Sequence, residues 1–539
     1  MYDYIVVGAG SAGCVLASRL SEDAACRVLL LEAGTADSDP RIHIPAAFVR
    51  LFRSSADWAR YTEPQAGAGG RRMYWPLGRV LGGSSSINAM IYIRGHRSDY
   101  DGWAASGCEG WGYADVLPYF IRSEDNARGA SQWHGVGGPL RVEDQRDPSP
   151  LSGAFVDAAV SAGALANSDF NGPEQAGAGL YQATQRGGRR HSAAAAFLRP
   201  ALSRPNLEVR TGAHAARILF DGDRAAGVEF LQDGMRKTAR CGAEVILAAG
   251  TVHSPHLLLL SGVGPAAALR RLGLPVVADR ASVGDNLHDH PITGARWRLR
   301  RGLSLMAAES IPSVVDYVTR RRGMLTSIIA EAGLFTSLRA GGAPDVQFHV
   351  APVLFEEHGF RRPTEHGFSM GPTLIRPRSR GRVSLRSADS TDAPAIDPNY
   401  LSDPEDLATL VDGLRLAREI AEQPAYRGLR GMELAPGPAV RSHAALEAWV
   451  RGTCETLYHP VGTCRMGADA DAVVDPSLRV RGVRGLRVVD ASIMPVVPRG
   501  NTNAPAIMIA EKGADLIRSR AVAPPRTAAT PAEPVAAVA

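Results

Sequence analysis

Three glycines and one carboxylate near the amino terminus stand at a spacing suited to phosphate and ribose recognition. Gly8, Gly10 and Gly13 lie in Gly8-Ala9-Gly10-Ser11-Ala12-Gly13, and Glu32 follows 24 residues after Gly8. Gly8 suits a tight turn, Gly10 lets the backbone approach a pyrophosphate, and Gly13 lets a helix pack closely on a strand. A helix beginning here offers unpaired N–H groups and a partial positive charge to the phosphates. A carboxylate at Glu32 accepts hydrogen bonds from ribose hydroxyls and disfavours a 2′-phosphate. The pattern therefore argues against NADP and leaves FAD and NAD.

Other groupings suggest metal at first sight. Cys454, His459 and Cys464 are evenly spaced, but three ligands leave a structural zinc site short and no paired-cysteine pattern completes it. His288-Asp289-His290 reads as a structural loop, and His253 and His256 as packing residues at a helix start. Glu511 and Lys512 are expected to open a final amphipathic helix without a chemical role. No metal site is expected.

The elements around the glycines supply the context that the pattern alone lacks. Tyr4-Ile5-Val6-Val7 is a short β-branched run, Cys14 to Leu20 follow a helical pattern, and Arg27-Val28-Leu29-Leu30-Leu31 forms a second strand ending in Glu32. Two later segments separate FAD from NAD. Ala243-Glu244-Val245-Ile246-Leu247-Ala248-Ala249-Gly250 is a buried-strand pattern closing on small residues before a helix. Gly485-Leu486-Arg487-Val488-Val489-Asp490 is another apolar strand, closed by a carboxylate. FAD is too long for one mononucleotide cradle, so flavin folds return distant strand ends to it. A second mononucleotide half directly behind the first, as NAD requires, is not found.

These residues, with four further segments, resemble one family. Gly78-Arg79-Val80-Leu81-Gly82-Gly83-Ser84-Ser85-Ser86-Ile87-Asn88 resembles the first signature of the glucose–methanol–choline (GMC) oxidoreductases. The run from Gly250-Thr251-Val252-His253-Ser254-Pro255 to Gly264 resembles the second. Tyr458-His459-Pro460-Val461-Gly462-Thr463 and Gly500-Asn501-Thr502-Asn503-Ala504-Pro505 resemble its active-site strands. The likeness spans residues 4 to about 516 and is greatest to choline-dehydrogenase-like and alcohol-dehydrogenase-like members.

The resemblance implies FAD-dependent oxidation of an alcohol to an aldehyde or ketone, by hydride transfer to the flavin N5 with a histidine base. It places that base at His459 and its amide partner at Asn503. A neutral imidazole suits the task, and Pro460 biases His459 toward an extended backbone fit to present a side chain from a strand end. Cofactor contacts are implied at Ser11, Ala12 and Ala33 beside the glycine turn, and at Arg79, Val80, Gly83 and Asn88 in the first signature. Others fall at Ala215, Ala249, Asp490, Ala491 and Ala504. In some members a histidine just before the asparagine bonds covalently to the flavin. Ile87 stands there, so non-covalent FAD is implied. Rival readings are a lyase of the same fold acting on cyanohydrins, and a non-catalytic flavin-binding protein.

Length and composition agree with such a protein. At 539 residues the chain exceeds one core, and its 60 basic against 55 acidic residues give no field for nucleic acid. No apolar run is long enough to cross a bilayer, no signal-peptide pattern opens the chain, and six scattered cysteines read as cytoplasmic thiols. A peripheral position on the inner face of the membrane stays open, as do the alcohol, the acceptor (dioxygen, a quinone or another carrier) and the oligomeric state.

The expected fold class is α/β, with α+β character in the cap. A discontinuous Rossmann-like FAD-binding domain would comprise 1–155, 195–295 and 455–520, and a mixed-sheet substrate-binding cap 156–194 and 296–454. The strands around 345–351 and 381–385 would belong to the cap sheet. Residues 404–422 are expected to form a helix with Asp403 as N-cap, and 521–539 a disordered tail.

Overall fold

The computed structural model describes residues 1–519 apart from 301, 340 and 341; the tail expected at 521–539 lies outside the described residues. Strand Tyr2–Val7 pairs in parallel with Val28–Leu31 on one side and with the far half of Met235–Leu247 on the other. Leu207–Arg210 and Leu486–Val488 extend this parallel sheet at its two edges. Ile5, Val6, Leu29, Leu30, Val245, Ile246 and Leu247 are all fully buried. Helices cover both faces of a parallel sheet, so its strands read as continuous apolar runs rather than alternating ones. The near half of Met235–Leu247 instead joins an antiparallel ribbon with His214–Asp221 and Arg224–Gln232.

A second, largely antiparallel sheet runs in the order Arg430–Ala435, Ala295–Leu299, Gly367–Leu374, Val346–Ala351, Ala332–Thr336, Gly177–Leu180. The short strands Pro291–Ile292 and Glu455–Thr456 attach to it. Helix Pro404–Glu422 packs on Gly367–Leu374, with the Asp403 carboxylate accepting from the Glu405 N–H and Leu407, Leu410, Val411, Leu414 and Ile420 buried. Helix Pro150–Ser161 sides with this sheet through Leu151, Phe155, Ala158 and Ala159.

Two expectations need correction. Strand Gly381–Ser384 does not enter the second sheet but pairs with Asp285–Leu287 and Ala395–Asp397 in a separate three-stranded one. Only Val383 of its four residues is buried, so it lacks the apolar faces that the covered sheet demands. The final helix spans Asn503–Arg518, placing Glu511 at its middle rather than its start. Pro505 is tolerated because the first helical turn needs no N–H partner there. Glu511 is wholly buried and ion-paired to Arg19 of helix Ser11–Leu20 and to Arg122 of helix Tyr113–Ser123. Among the described residues, no helix is long and apolar enough to cross a membrane.

Candidate active site

A cavity of about 690 Å³ opens where the carboxyl ends of the parallel strands meet the second sheet. This is where ligands of open α/β sheets are expected. Its wall includes Gly8, Gly10, Ser11, Ala12, Glu32 and Ala33 from the first turn and strand end. Gly83, Asn88, Ala215, Ala249, Asp490 and Ala491 join them from distant segments.

Local packing explains the glycines. Gly8 has φ +98°, and a Cβ there would lie 2.6 Å from the Ala248 carbonyl oxygen. A Cβ on Gly13 would lie 1.8 Å from the Gly8 carbonyl oxygen, so Gly13 acts through packing and is absent from the cavity wall. Gly83 brings the first-signature segment against the turn, since a Cβ on it would sit 2.6 Å from Gly10 Cα.

Two helix ends converge on this space. Helix Ser11–Leu20 starts at Gly10 without a side-chain cap, and helix Asn503–Arg518 also lacks one. The Ser11 hydroxyl donates to Asn503 Oδ1 at 2.7 Å, which ties the two ends together. Their free N–H groups form a site for a diphosphate. Glu32 accepts from the Ala9 and Gly34 N–H groups at 2.9 and 2.7 Å, leaving lone pairs for ribose hydroxyls. Burial pushes its carboxyl up to about 7, against those two bonds and the charge of Arg79. The residues present therefore fit a dinucleotide such as FAD in shape and donor chemistry.

Besides Gly13, three expected contacts lie off the cavity wall. Arg79 lays its guanidinium over the Trp58 ring, Val80 is buried in a cluster with Ile42, Phe48 and Ile87, and Ala504 is buried in the main core. Conversely, His253 and His256, expected to be packing residues, face the cavity together with Trp58 and His214. Trp58 and His253 have ring centroids 4.4 Å apart with their planes tilted by 35°, an aromatic pair against which a base could stack. Asp490 is spent on structure. Its carboxylate accepts from the Gly250 N–H, the Ser254 hydroxyl, and both the N–H and hydroxyl of Ser492, joining strand end to helix start.

The other end of the cavity holds His459. It follows the two-residue strand Glu455–Thr456, and Tyr458 before it takes a left-handed φ of +70°. The loop 288–290 that sequence reading assigned to structure is what holds it. The Asp289 carboxylate accepts from the His459 backbone N–H at 2.7 Å, from the Thr456 hydroxyl at 2.5 Å and from the Tyr400 hydroxyl. His290 Nδ1 lies 3.1 Å from His459 Nδ1, and Asn501 Nδ2 lies 3.2 Å from His459 Nε2. Burial, with the neighbouring imidazoles of His290 and His349, holds His459 well below its ordinary value and hence neutral.

The amide beside His459 is therefore Asn501, not Asn503. Asn501 precedes the final helix and stays free to point toward His459, whereas Asn503 is its first residue and turns to Ser11. A chain of bonds fixes which way the Asn501 amide faces. Tyr181 donates its hydroxyl to the Phe348 carbonyl, so its oxygen accepts from Gln347 Nε2 at 3.0 Å. The same Nε2 donates to Asn501 Oδ1 at 3.2 Å, which turns the Asn501 NH₂ to His459. His459 Nε2 then accepts from Asn501 Nδ2 with its one lone pair, at the cavity wall, and Nδ1–H faces His290. Asn501, Gln347, Tyr181 and His290 had no sequence signal of this role beyond proximity to a motif, because they meet only across two sheets.

The chain matches the pattern of GMC oxidoreductases over residues 2–292, and its C-terminal part over residues 377–510. It is 47% identical over 527 residues to an alcohol dehydrogenase (acceptor) of Pseudomonas putida, covering 96% of both chains. It is 45% identical over 537 residues to the mitochondrial choline dehydrogenase of Homo sapiens, covering 96% of this chain and 90% of that one. Among solved structures, pyridoxine 4-oxidase from Mesorbium loti is similar with a TM-score of 0.89 at 34% identity, covering 96% of this chain and 99% of that one.

Proposed function

The chain belongs to the GMC oxidoreductase family, FAD-dependent enzymes that oxidise alcohols, and we propose that His459 is the base and Asn501 the amide partner of that reaction. The single observation that supports this is the convergence of a neutral imidazole nitrogen and an oriented amide N–H on one point of the cavity wall. An alcohol hydroxyl entering between the two takes over their bond, its O–H donating to His459 Nε2 and its oxygen accepting from Asn501 Nδ2. The amide N–H then stabilises the oxygen as negative charge gathers on it. His290, receiving the other imidazole N–H, keeps the ring in the tautomer whose Nε2 is the acceptor.

Bound FAD supplies the acceptor for the two electrons and the hydrogen leaving the alcohol carbon. Glu32 would hold its ribose, and the helix ends at Ser11 and Asn503 its diphosphate. Ile87 lines the cavity without a nucleophilic atom, which supports non-covalent binding. An external electron acceptor closes the cycle. The two sheets support the division into a discontinuous cofactor-binding unit and a cap, and six free cysteines suit a cytoplasmic setting.

The alcohol we infer is one with an apolar body. Ile328, Ile329, Ala330, Phe355 and Met370 line the cap side of the cavity. Of the three carboxylates there, Glu356 is paired with Arg296 and Arg361, burial raises Glu455 to about 7, and the exposed Glu357 has no ion pair among the described residues. A quaternary ammonium would therefore meet one uncompensated carboxylate in an otherwise apolar wall.

Anaerobic mixing of the H459A holoenzyme with alcohol tests the assignment. Reduction of the flavin should collapse by about 10²-fold or more while FAD stays bound. Rapid reduction at the unsubstituted rate would overturn it. Preference for choline over an apolar primary alcohol of similar length would overturn the substrate reading alone.

A further inference from the structure

Six of the fourteen exposed large apolar side chains among the described residues fall within 303–318. They are Leu303, Met306, Ile311, Val314, Val315 and Val318, with Ile311 80%, Val318 62% and Val315 54% exposed. Four belong to helix Ile311–Arg320 at positions i, i+3, i+4 and i+7, so they form one stripe. A surface helix of a globular protein normally turns that stripe to the core. Here the buried residue is Tyr317 on another side, anchored by its hydroxyl to the His43 carbonyl at 3.3 Å. The helix is properly built, with Ser310 capping its start and Arg321 closing it in the left-handed conformation. Its apolar face is thus presented outward by an ordered element.

The charge around the stripe is net positive. Residues 300–322 carry five arginines against two carboxylates, and the arginines gather at both ends of the apolar segment. Arg320 is largely exposed, with Asp316 at 3.6 Å. An outward apolar stripe flanked by arginine is the arrangement of a helix that lies in a lipid interface, with acyl chains below and anionic headgroups beside it.

We propose that helix Ile311–Arg320 and the turn before it form a docking surface for an anionic lipid bilayer. A second copy of the chain fits less well. Six side chains fall far short of the roughly 20–30 residues a side of a stable dimer, and a face-to-face pairing would oppose like charges. The position also has a use. The helix packs on the segment 324–326, which packs in turn on 45–51, and these and the residues just after them supply Phe48, Ile328, Ile329 and Ala330 to the cavity wall. A lipid-dissolved alcohol or acceptor would therefore be delivered next to the cap side of the cavity. The docking surface does not depend on the roles proposed for His459 and Asn501.

The test is vesicle co-sedimentation of the full-length holoenzyme. Vesicles of phosphatidylcholine alone are compared with vesicles containing phosphatidylglycerol. The unsubstituted protein should partition to the anionic vesicles about tenfold or more over the neutral ones. V315D/V318D should lose about tenfold or more of that binding, and R300Q/R320Q should lose the preference for anionic lipid. Because all four side chains are exposed, both variants should keep the melting temperature and the rate of flavin reduction by a short water-soluble alcohol. Three results would overturn the proposal: no binding to either vesicle, binding indifferent to V315D/V318D, or a dimer that V315D/V318D converts to monomer.

Discussion

At the scale of single residues, two asparagines two positions apart carry separable duties. Asn501 donates toward His459 and Asn503 accepts from Ser11 at the cofactor end. Replacing Asn501 by Ala should slow flavin reduction by about 10²-fold, the usual worth of one donor to a developing oxyanion, with FAD retained. Replacing Asn503 should chiefly loosen FAD, read as a faster loss of bound flavin on dilution. Equal effects of the two on reduction would deny the distinction. Gln347 acts through Asn501 by fixing its amide, so Q347L should lower kcat more than it raises KM. The base itself should show in pH. Because burial holds His459 well below the ordinary imidazole value, flavin reduction should stay flat from alkaline pH down through about 6.5, the free-imidazole value, and fall only below it. An acid limb centred at or above that value would place the base elsewhere.

At the scale of elements, close approach is what the local sequence encodes. Helix Ser11–Leu20 can lie against strand Tyr2–Val7 because Gly13 has no side chain. A Cβ there would meet backbone oxygen at 1.8 Å. Gly13→Ala should therefore force the turn apart, lowering both FAD retention and the thermal midpoint of the protein. The same helix is tied to the last one by Glu511, whose buried carboxylate meets Arg19 and Arg122. E511A leaves both cations without it. The expected cost is about 3 kcal/mol, the low end for breaking a buried pair because the arginines keep partial access to water. It would be measured as a lower denaturant midpoint. Helix Pro404–Glu422 shows the favourable case for reading elements from sequence. Its cap, first-position proline and apolar period all act within a few residues, and the element begins and ends where they say. Strand Gly381–Ser384 shows the unfavourable one. Four residues of strand character do not specify which sheet they join.

At the scale of the whole molecule, burial of imidazoles dominates the response to acid. His256 and His358 are held down at about 4, and His288, His290 and His349 at about 3, burial being the first cause of each. Unfolded, these groups bind protons near 6.5. Between that value and about 4 the unfolded chain holds more protons, so their contribution to stability is lost as pH falls. Glu32 and Glu455, raised to about 7, and Asp289, raised to about 6, act the other way, since the folded chain keeps protons the unfolded chain has released. The imidazoles outnumber them. The holoenzyme should melt at a lower temperature at pH 5 than at pH 7, and calorimetry showing the reverse would contradict this account.

The sequence by itself determined the cofactor class and the parallel strands that carry it. Gly8, Gly10, Gly13 and Glu32 act through backbone geometry and one strand end, all within one short stretch of chain. It also marked His459, because Pro460 and the surrounding motif are local to it. Only the tertiary structure decided that the amide beside His459 is Asn501. That choice rests on where the last helix begins and on a hydrogen-bond chain from Tyr181 through Gln347, residues from a different sheet. It likewise gave Asp289 and His290 the task of holding the His459 loop, and set His253 and His256 against the cavity. Local periodicity determines which residues are apolar or extended. Which side chains converge on one point depends on contacts between segments hundreds of residues apart, and those are settled only when the two sheets pack.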